Sequence, residues 1–154
     1  VTPAKENGSV KGDGDGSPAM PAYLLDTSAI LALLEDEAGA DRVQYLLKNE
    51  TVLLPFLVPL EVYCISFQEK GEETANFRYS LLKALKALHL NEVSEPVLLT
   101  AGRLKALHPI SLVDAIIAAF ARQRDAVLVH KDPEYETLKD LVRLEALPYK
   151  SSRR

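Results

Sequence analysis

Ala22-Tyr23-Leu24-Leu25-Asp26-Thr27-Ser28-Ala29-Ile30 is the stretch that decides how this chain folds. Ala22–Leu25 is a short apolar run, the mark of a buried strand. Asp26 stands where that strand ends. Ser28–Leu34 then reads as a helix and runs into the acidic patch Glu35–Glu37. A strand that passes directly into a helix is the opening of a βαβ unit.

The alternation continues downstream. Ala40–Lys48 is helical, with Val43, Leu46 and Leu47 at helical spacing, and Thr51–Leu54 is a second strand. Pro59–Lys70 predicts a helix, with Pro59 suited to its first turn and Gly71 as its stop. Glu73–Leu88 predicts an amphipathic helix. Phe77, Leu81, Leu82, Leu85 and Leu88 line its apolar face, and Arg78, Lys83 and Lys86 lie off it. His89–Val93 is a third strand. Ser94–Leu107, capped by Ser94, and Ser111–Arg124 are helices. Ala126–His130 is a strand, Pro133–Leu138 a helical turn and Leu141–Leu144 a last strand. This order predicts an α/β fold of three layers, α/β/α, with a mainly parallel central sheet and helices on both faces. In such a sheet ligands bind beyond the carboxyl ends of the strands.

Composition sets the bounds. The 154 residues suit one domain, expected over 20–150 with a short tail at 151–154. Residues 1–19 hold four of the seven glycines and few apolar side chains, too little to offset the entropy of ordering them. Met20 is the only methionine and directly precedes the first strand, so it is the expected native start. The leader then reads as an expression remnant, or as an upstream extension begun by a GTG codon at Val1. A single cysteine, Cys64, excludes an internal disulfide and a cysteine-rich zinc site, and it fits a reducing, cytoplasmic setting. No apolar run approaches the ~18 residues of a membrane span, and no signal-peptide pattern opens the chain. The net charge is −4. Any contact with nucleic acid must therefore be local and basic, or must run through bound metal.

Four acids stand out, and each has a plain structural reading. Asp26 can cap the helix that follows it, worth about 1 kcal/mol. Asp132, in His130-Lys131-Asp132-Pro133, has the same cap position with proline at the first helical residue. Asp114, in Ser111-Leu112-Val113-Asp114, fits a capping box at the start of a helix that Leu112, Val113, Ile116, Ile117 and Phe120 bury. An unpaired charge at that rim of the core is costly and calls for a partner. Glu61, in Pro59-Leu60-Glu61-Val62, lies in a first turn, where an acid favours the helix dipole. Taken together, the topology delivers all four to one side of the sheet. Two carboxylates ~4 Å apart already repel by several kcal/mol at an effective dielectric near 20. A hard divalent cation resolves that repulsion. Mg²⁺ takes oxygen ligands, and two such ions can drive phosphodiester hydrolysis.

The motifs Leu25-Asp26-Thr27-Ser28-Ala29, Pro59-Leu60-Glu61-Val62, Ser111-Leu112-Val113-Asp114-Ala115-Ile116-Ile117-Ala118-Ala119 and Val129-His130-Lys131-Asp132-Pro133-Glu134-Tyr135, in that order, resemble a PIN domain. They are most similar to the toxin ribonucleases of VapBC-type toxin–antitoxin pairs. The resemblance covers about Met20 to Lys150. It implies a metal-dependent endoribonuclease with Mg²⁺ or Mn²⁺ held by Asp26, Glu61, Asp114 and Asp132, and a hydroxyl at Thr27 or Ser28 that supports the site. It also implies a homodimer and a small antitoxin that blocks the active site. One departure is His130-Lys131-Asp132, where many relatives carry Thr-Arg-Asp; it bears on substrate preference.

Lys131 adjoins Asp132 and is the expected phosphate contact, whereas Arg103, Arg122, Arg124 and Arg143 read as solvated surface charges. His130 is a candidate proton shuttle or supporting group, because histidine alone titrates near neutral pH unperturbed; the plain reading is a strand-end histidine. Alternatives to the toxin are an RNA-processing nuclease without an antitoxin and a non-catalytic PIN-like assembly module. A phosphoaspartate enzyme using Asp26 as nucleophile is a third. Dehalogenase-type phosphatases, however, need a second aspartate where this chain has Ser28.

Overall fold

The computed structural model describes residues 20–151. The leader expected over 1–19 lies outside the described residues, as does the tail beyond Ser151. Among those described, strands β1 (Tyr23–Leu25), β2 (Val52–Pro55), β3 (Leu88–Leu90), β4 (Val127–His130) and β5 (Leu144–Ala146) alternate with helices. These are α1 (Thr27–Leu34), α2 (Ala40–Asn49), α3 (Leu57–Lys70), α4 (Glu72–Ala84), α5 (Glu95–Leu107) and α6 (Leu112–Gln123), with a 3-10 helix at Pro133–Leu138.

The sheet order is β3-β2-β1-β4-β5, and every pair is parallel. Leu24, Leu25, Leu53, Leu54, Leu128 and Val129 are all but sealed from solvent, as the strands of a sheet covered on both faces must be. From β1 the chain steps one way to β2 and β3, then returns past β1 to β4. Right-handed crossovers place α1–α4 on one face and α5–α6 on the other. The strand order thus reverses between β1 and β4, and a crevice opens there at the carboxyl edge. Asp26 follows β1 and Asp132 follows β4. The α/β/α expectation is met, with the sheet wholly parallel among the described residues.

Several elements differ from expectation. Helix α3 begins at Leu57, so Pro59 is its third residue and Glu61 its fifth, just past the first turn in which a dipole contact operates. Pro59 is tolerated because N–H groups of a first turn have no intrahelical acceptor. Helix α4 stops at Ala84, and Leu85 is extended. Its buried residues are Ala75, Arg78 and Leu82, while Phe77, Leu81 and the strand residue Leu88 are exposed. Of the apolar stripe read from the sequence, only Leu82 is buried, with Leu85 packed against the core, and Arg78, placed off the stripe, is buried too. Helix α4 packs chiefly on α3 rather than on the sheet, and that narrow seam carries a guanidinium. In α6 the interior goes to Ala115, Ile117, Ala118, Ala119, Phe120 and Ala121, and Leu112 is exposed. The last strand starts at Leu144, because Leu141 and Val142 both donate their N–H back to Leu138 and close the 3-10 turn first.

Arg78 is 8% exposed and donates to Glu35 at 2.6 Å and to Ser66 at 3.1 Å, tying the α3–α4 hairpin to α1. Arg78→Ala is expected to lower stability by about 2–3 kcal/mol in denaturant unfolding, because it leaves the hydroxyl of Ser66 and the carboxylate of Glu35 short of a partner. A change under about 0.5 kcal/mol would mean that α4 holds to α3 by apolar contact alone.

Candidate metal centre

Asp26 is 2% exposed. Its Oδ2 accepts from the Ser28 amide at 3.0 Å and from the Ser28 hydroxyl at 2.6 Å. The cap read from the sequence is present, but it engages only one carboxylate oxygen. The other, Oδ1, accepts from the Tyr135 hydroxyl at 2.8 Å. The Ser28 oxygen in turn accepts from the Lys131 amide at 2.8 Å, which joins the start of α1 to the end of β4. Beside it, the Thr27 hydroxyl donates to Glu61 Oε1 at 2.5 Å. The two hydroxyls thus serve two different acids.

Asp114 sits in the first turn of α6. Its amide donates to Ser111 Oγ at 3.1 Å, one half of a capping box. Its carboxylate makes no return bond of that kind. Instead Oδ1 accepts from the Tyr135 hydroxyl at 3.0 Å. Tyr135 is thus the partner that the rim position demands, and sequence reasoning missed it. It is 1% exposed and rises from the 3-10 helix between two acids. A phenol has one proton, so it cannot satisfy both carboxylates at once. Burial first, then the charge of Asp26, pushes Asp114 up from its ordinary 3.8 to about 6. Once protonated, Asp114 can donate to the Tyr135 oxygen while Tyr135 donates to Asp26. Burial also raises Glu61, with the charge of Asp26 adding to it and the Thr27 hydroxyl opposing it.

Asp132 caps the 3-10 helix by accepting from the Glu134 amide at 2.9 Å, with Pro133 in its first turn. Asp114, Asp132 and Glu134 each offer a carboxylate oxygen, all within 4.8 Å of one another. Glu134 is the second residue that sequence reasoning missed; its only signal was an acid two places after Asp132. Among the described residues no lysine, arginine or histidine forms an ion pair with Asp26, Glu61, Asp114, Asp132 or Glu134. An all-oxygen donor set, partly buried and lacking a protein cation, fits a hard divalent cation.

His130 and Lys131 do other work than expected. His130 is fully buried, and its Nδ1 accepts from the Asp132 amide at 3.2 Å. The neutral ring then carries its proton on Nε2, which finds no partner. Burial pulls its pKa down. A sealed, neutral imidazole orients the Asp132 loop; it is not placed to shuttle protons. The Lys131 side chain is 5% exposed, and its ammonium donates to Glu37 at 3.0 Å and to the Ala38 carbonyl at 3.0 Å. It clasps the α1–α2 loop to β4 and is not presented to a phosphate.

A family model described as the PIN domain matches residues 23–141. The chain belongs to the PIN-domain family. Among solved structures it is similar to VapBC2 from Rickettsia felis bound to a promoter DNA fragment. That match has a TM-score of 0.67 and 19% identity, covering 82% of this chain and 99% of that one. It is similar also to VapBC-1 from nontypeable Haemophilus influenzae, with a TM-score of 0.64, 26% identity, and coverage of 81% and 97%. A third is VapC20 of Mycobacterium tuberculosis, a sarcin-ricin loop cleaving toxin, with a TM-score of 0.62, 17% identity, and coverage of 75% and 93%. No curated protein sequence matches the chain.

In this PIN domain the shared tyrosine hydroxyl makes a sharp prediction. Tyr135→Phe removes the donor of two crowded carboxylates and leaves the packing in place. Metal-free protein at neutral pH is expected to lose about 2 kcal/mol, the cost of leaving such a group unsatisfied. Calorimetry in EDTA reads this directly, and saturating Mn²⁺ should recover most of it. Equal melting of both proteins in EDTA would mean that water replaces the hydroxyl at no cost.

Proposed function

We propose that this PIN domain is an endoribonuclease that hydrolyses RNA phosphodiester bonds with Mg²⁺ or Mn²⁺, and that it is the toxin of a toxin–antitoxin pair. The observation that carries the reading is the set of acids at the β1/β4 switch point: Asp26 and Asp114 share one tyrosine hydroxyl, Asp132 and Glu134 lie beside Asp114, and none of the four pairs with a protein cation among the described residues. Asp26 and Asp114 would be the principal holders of an ion. Glu61 and Asp132 would complete the charge cluster, and Glu134 extends it on the solvent side. A bound divalent ion would supply an acidified water and neutralise charge on the phosphate. The protein's own residues fix the donors. Ser28 and Tyr135 hold the two oxygens of Asp26, Thr27 holds Glu61, and the His130 ring sets the loop that carries Asp132.

The solved relatives include complexes of toxin with antitoxin, which supports a small antitoxin as partner here. Phe67, Phe77 and Leu81 on the α3–α4 hairpin, and Leu98, Leu99 and Leu107 on α5, are exposed large apolar residues. They offer two surfaces, enough for an antitoxin and for a second copy in a homodimer. Among the described residues no helix is long and apolar enough to cross a membrane, in keeping with the cytoplasmic setting proposed for this enzyme.

The test is cleavage of structured RNAs by purified protein with Mg²⁺, Mn²⁺ or EDTA, beside a variant carrying Asn at positions 26 and 114 purified identically. Cutting that needs metal and disappears in the variant supports the proposal. A Mn²⁺ titration with no binding would sink it, in favour of a non-catalytic assembly module.

A further inference from the structure

A cleft of about 700 Å³ opens beside the acid cluster, with Ser28 and Asp132 on its inner wall. Leu31 of α1 and Ile65 of α3 add apolar lining, and Tyr149 lines the same cleft. This volume lies within the ~300–1,000 Å³ typical of small-ligand sites.

Tyr149 is held rather than loose. Its hydroxyl donates to Glu136 at 2.7 Å, and its ring centroid lies 6.2 Å from that of His130. Two residues earlier, the Leu147 amide donates to the His130 carbonyl at 2.7 Å, fixing the segment to the end of β4. Tyr149 nevertheless keeps 40% of its surface exposed. An aromatic ring fixed at its tip and edge, with open surface over a cleft, is the form of a stacking platform.

The charges of the cleft suit the same ligand. Of its glutamates, Glu35 is neutralised by Arg78 and Glu37 by Lys131 and Lys150, while Glu69 forms no ion pair among the described residues. Lys70, on the rim, has no ion-pair partner among the described residues. Beyond the acid cluster itself, an anionic polymer on this route meets two matched carboxylates and the adjacent unpaired charges of Glu69 and Lys70, which offset one another.

We infer that this cleft is a nucleotide subsite, in which a single unstacked base next to the scissile phosphate lies against the ring of Tyr149. The inference rests on the nuclease reading for the identity of the polymer, but base binding is measurable without metal. Single-stranded RNA is recognised chiefly through splayed bases stacked on aromatic side chains. The stack sets no strict base preference, but the larger purine rings cover more of the platform.

The experiment is saturation-transfer NMR on the full chain in EDTA, titrated with adenosine, guanosine, cytidine and uridine, with Mn²⁺ affinity of the same preparations measured separately. Millimolar binding is expected, with the purines ahead. Tyr149→Ala should weaken it by ~10-fold or more, and Tyr149→Phe by less than ~3-fold, since the face is kept. Both variants should keep wild-type Mn²⁺ affinity. Equal nucleoside binding by wild type and Tyr149→Ala would overturn the inference. So would the failure of all four nucleosides to bind, which with intact Mn²⁺ binding would give the cleft to a protein partner. Loss of Mn²⁺ binding in wild-type protein would instead strike the nuclease reading and leave the nucleoside result to stand alone.

Discussion

Asn at both Asp26 and Asp114 is expected to silence RNA cleavage by about a thousandfold or more, while raising the melting temperature of the metal-free protein. The two effects have one cause. A divalent ion contributes several kcal/mol to the transition state, and each 1.36 kcal/mol is tenfold in rate. Removing two of the carboxylates proposed to hold it forfeits that contribution. Without metal those same charges are a burden. The rise of Asp114 from 3.8 to about 6 marks an anion held where burial and the charge of Asp26 disfavour it. Discounted for partial exposure, that is on the order of 1–2 kcal/mol at neutral pH. Asn relieves it, still accepts from Tyr135, and at position 26 still caps α1 as well as aspartate does. Cleavage assays and calorimetry in EDTA read the two arms. Lost cleavage with a lower melting temperature would mean a damaged fold, and equal cutting by both proteins would expose a contaminant.

The second large effect is a pH dependence of stability that runs opposite to the usual carboxylate case. Between 3.8 and about 6 folded Asp114 keeps a proton that the unfolded chain has released. The unfolded state therefore binds fewer protons, and stability falls as pH rises through that window. Glu61, also raised, acts in the same direction. His130 acts against them. Its pKa is lowered, so its contribution is lost as pH falls below its ordinary 6.5. Subtracting the profile of Asp114→Asn from that of wild type cancels His130 and isolates Asp114. In EDTA the difference should grow from near zero at pH 4 to about 2 kcal/mol in favour of the variant by pH 7. Saturating Mg²⁺ should reverse its sign at pH 7, because the proposed ion site needs the full acid set. A flat difference across the range would show that Asp114 titrates as an ordinary surface acid.

Much of this was legible in the sequence, and what was not has physical reasons. The strand-to-helix passage at Asp26, the caps at Ser94, Ser111 and Asp132, and the stop at Gly71 are local events, fixed by a few neighbouring residues. Gly71 shows why they read cleanly: its φ of +90° ends α3 and begins α4, a conformation that glycine alone adopts without strain. The misreadings concern distance. Tyr135 meets Asp26 across 109 positions, and Lys131 meets Glu37 across 94; no spacing rule reports such pairs. The stripe from Phe77 to Leu88 has helical period, but period cannot say which neighbour a helix packs on. The start of α3 was displaced by taking Pro59 as a first residue, when proline is equally tolerated at the third. That shift moved Glu61 away from the helix terminus and into the reach of Thr27.

The central placement of β1 has a consequence for the order in which a growing chain acquires its parts. Asp26 leaves the ribosome early, but its partner hydroxyl on Tyr135 follows 109 residues later, roughly 5–20 s at ordinary rates of synthesis. Until β4 inserts alongside β1, the nascent chain has a capped helix and scattered acids, with nothing to gather them. On the activity proposed here, the message being translated is thereby spared. The site closes only after nearly all of the domain has been made.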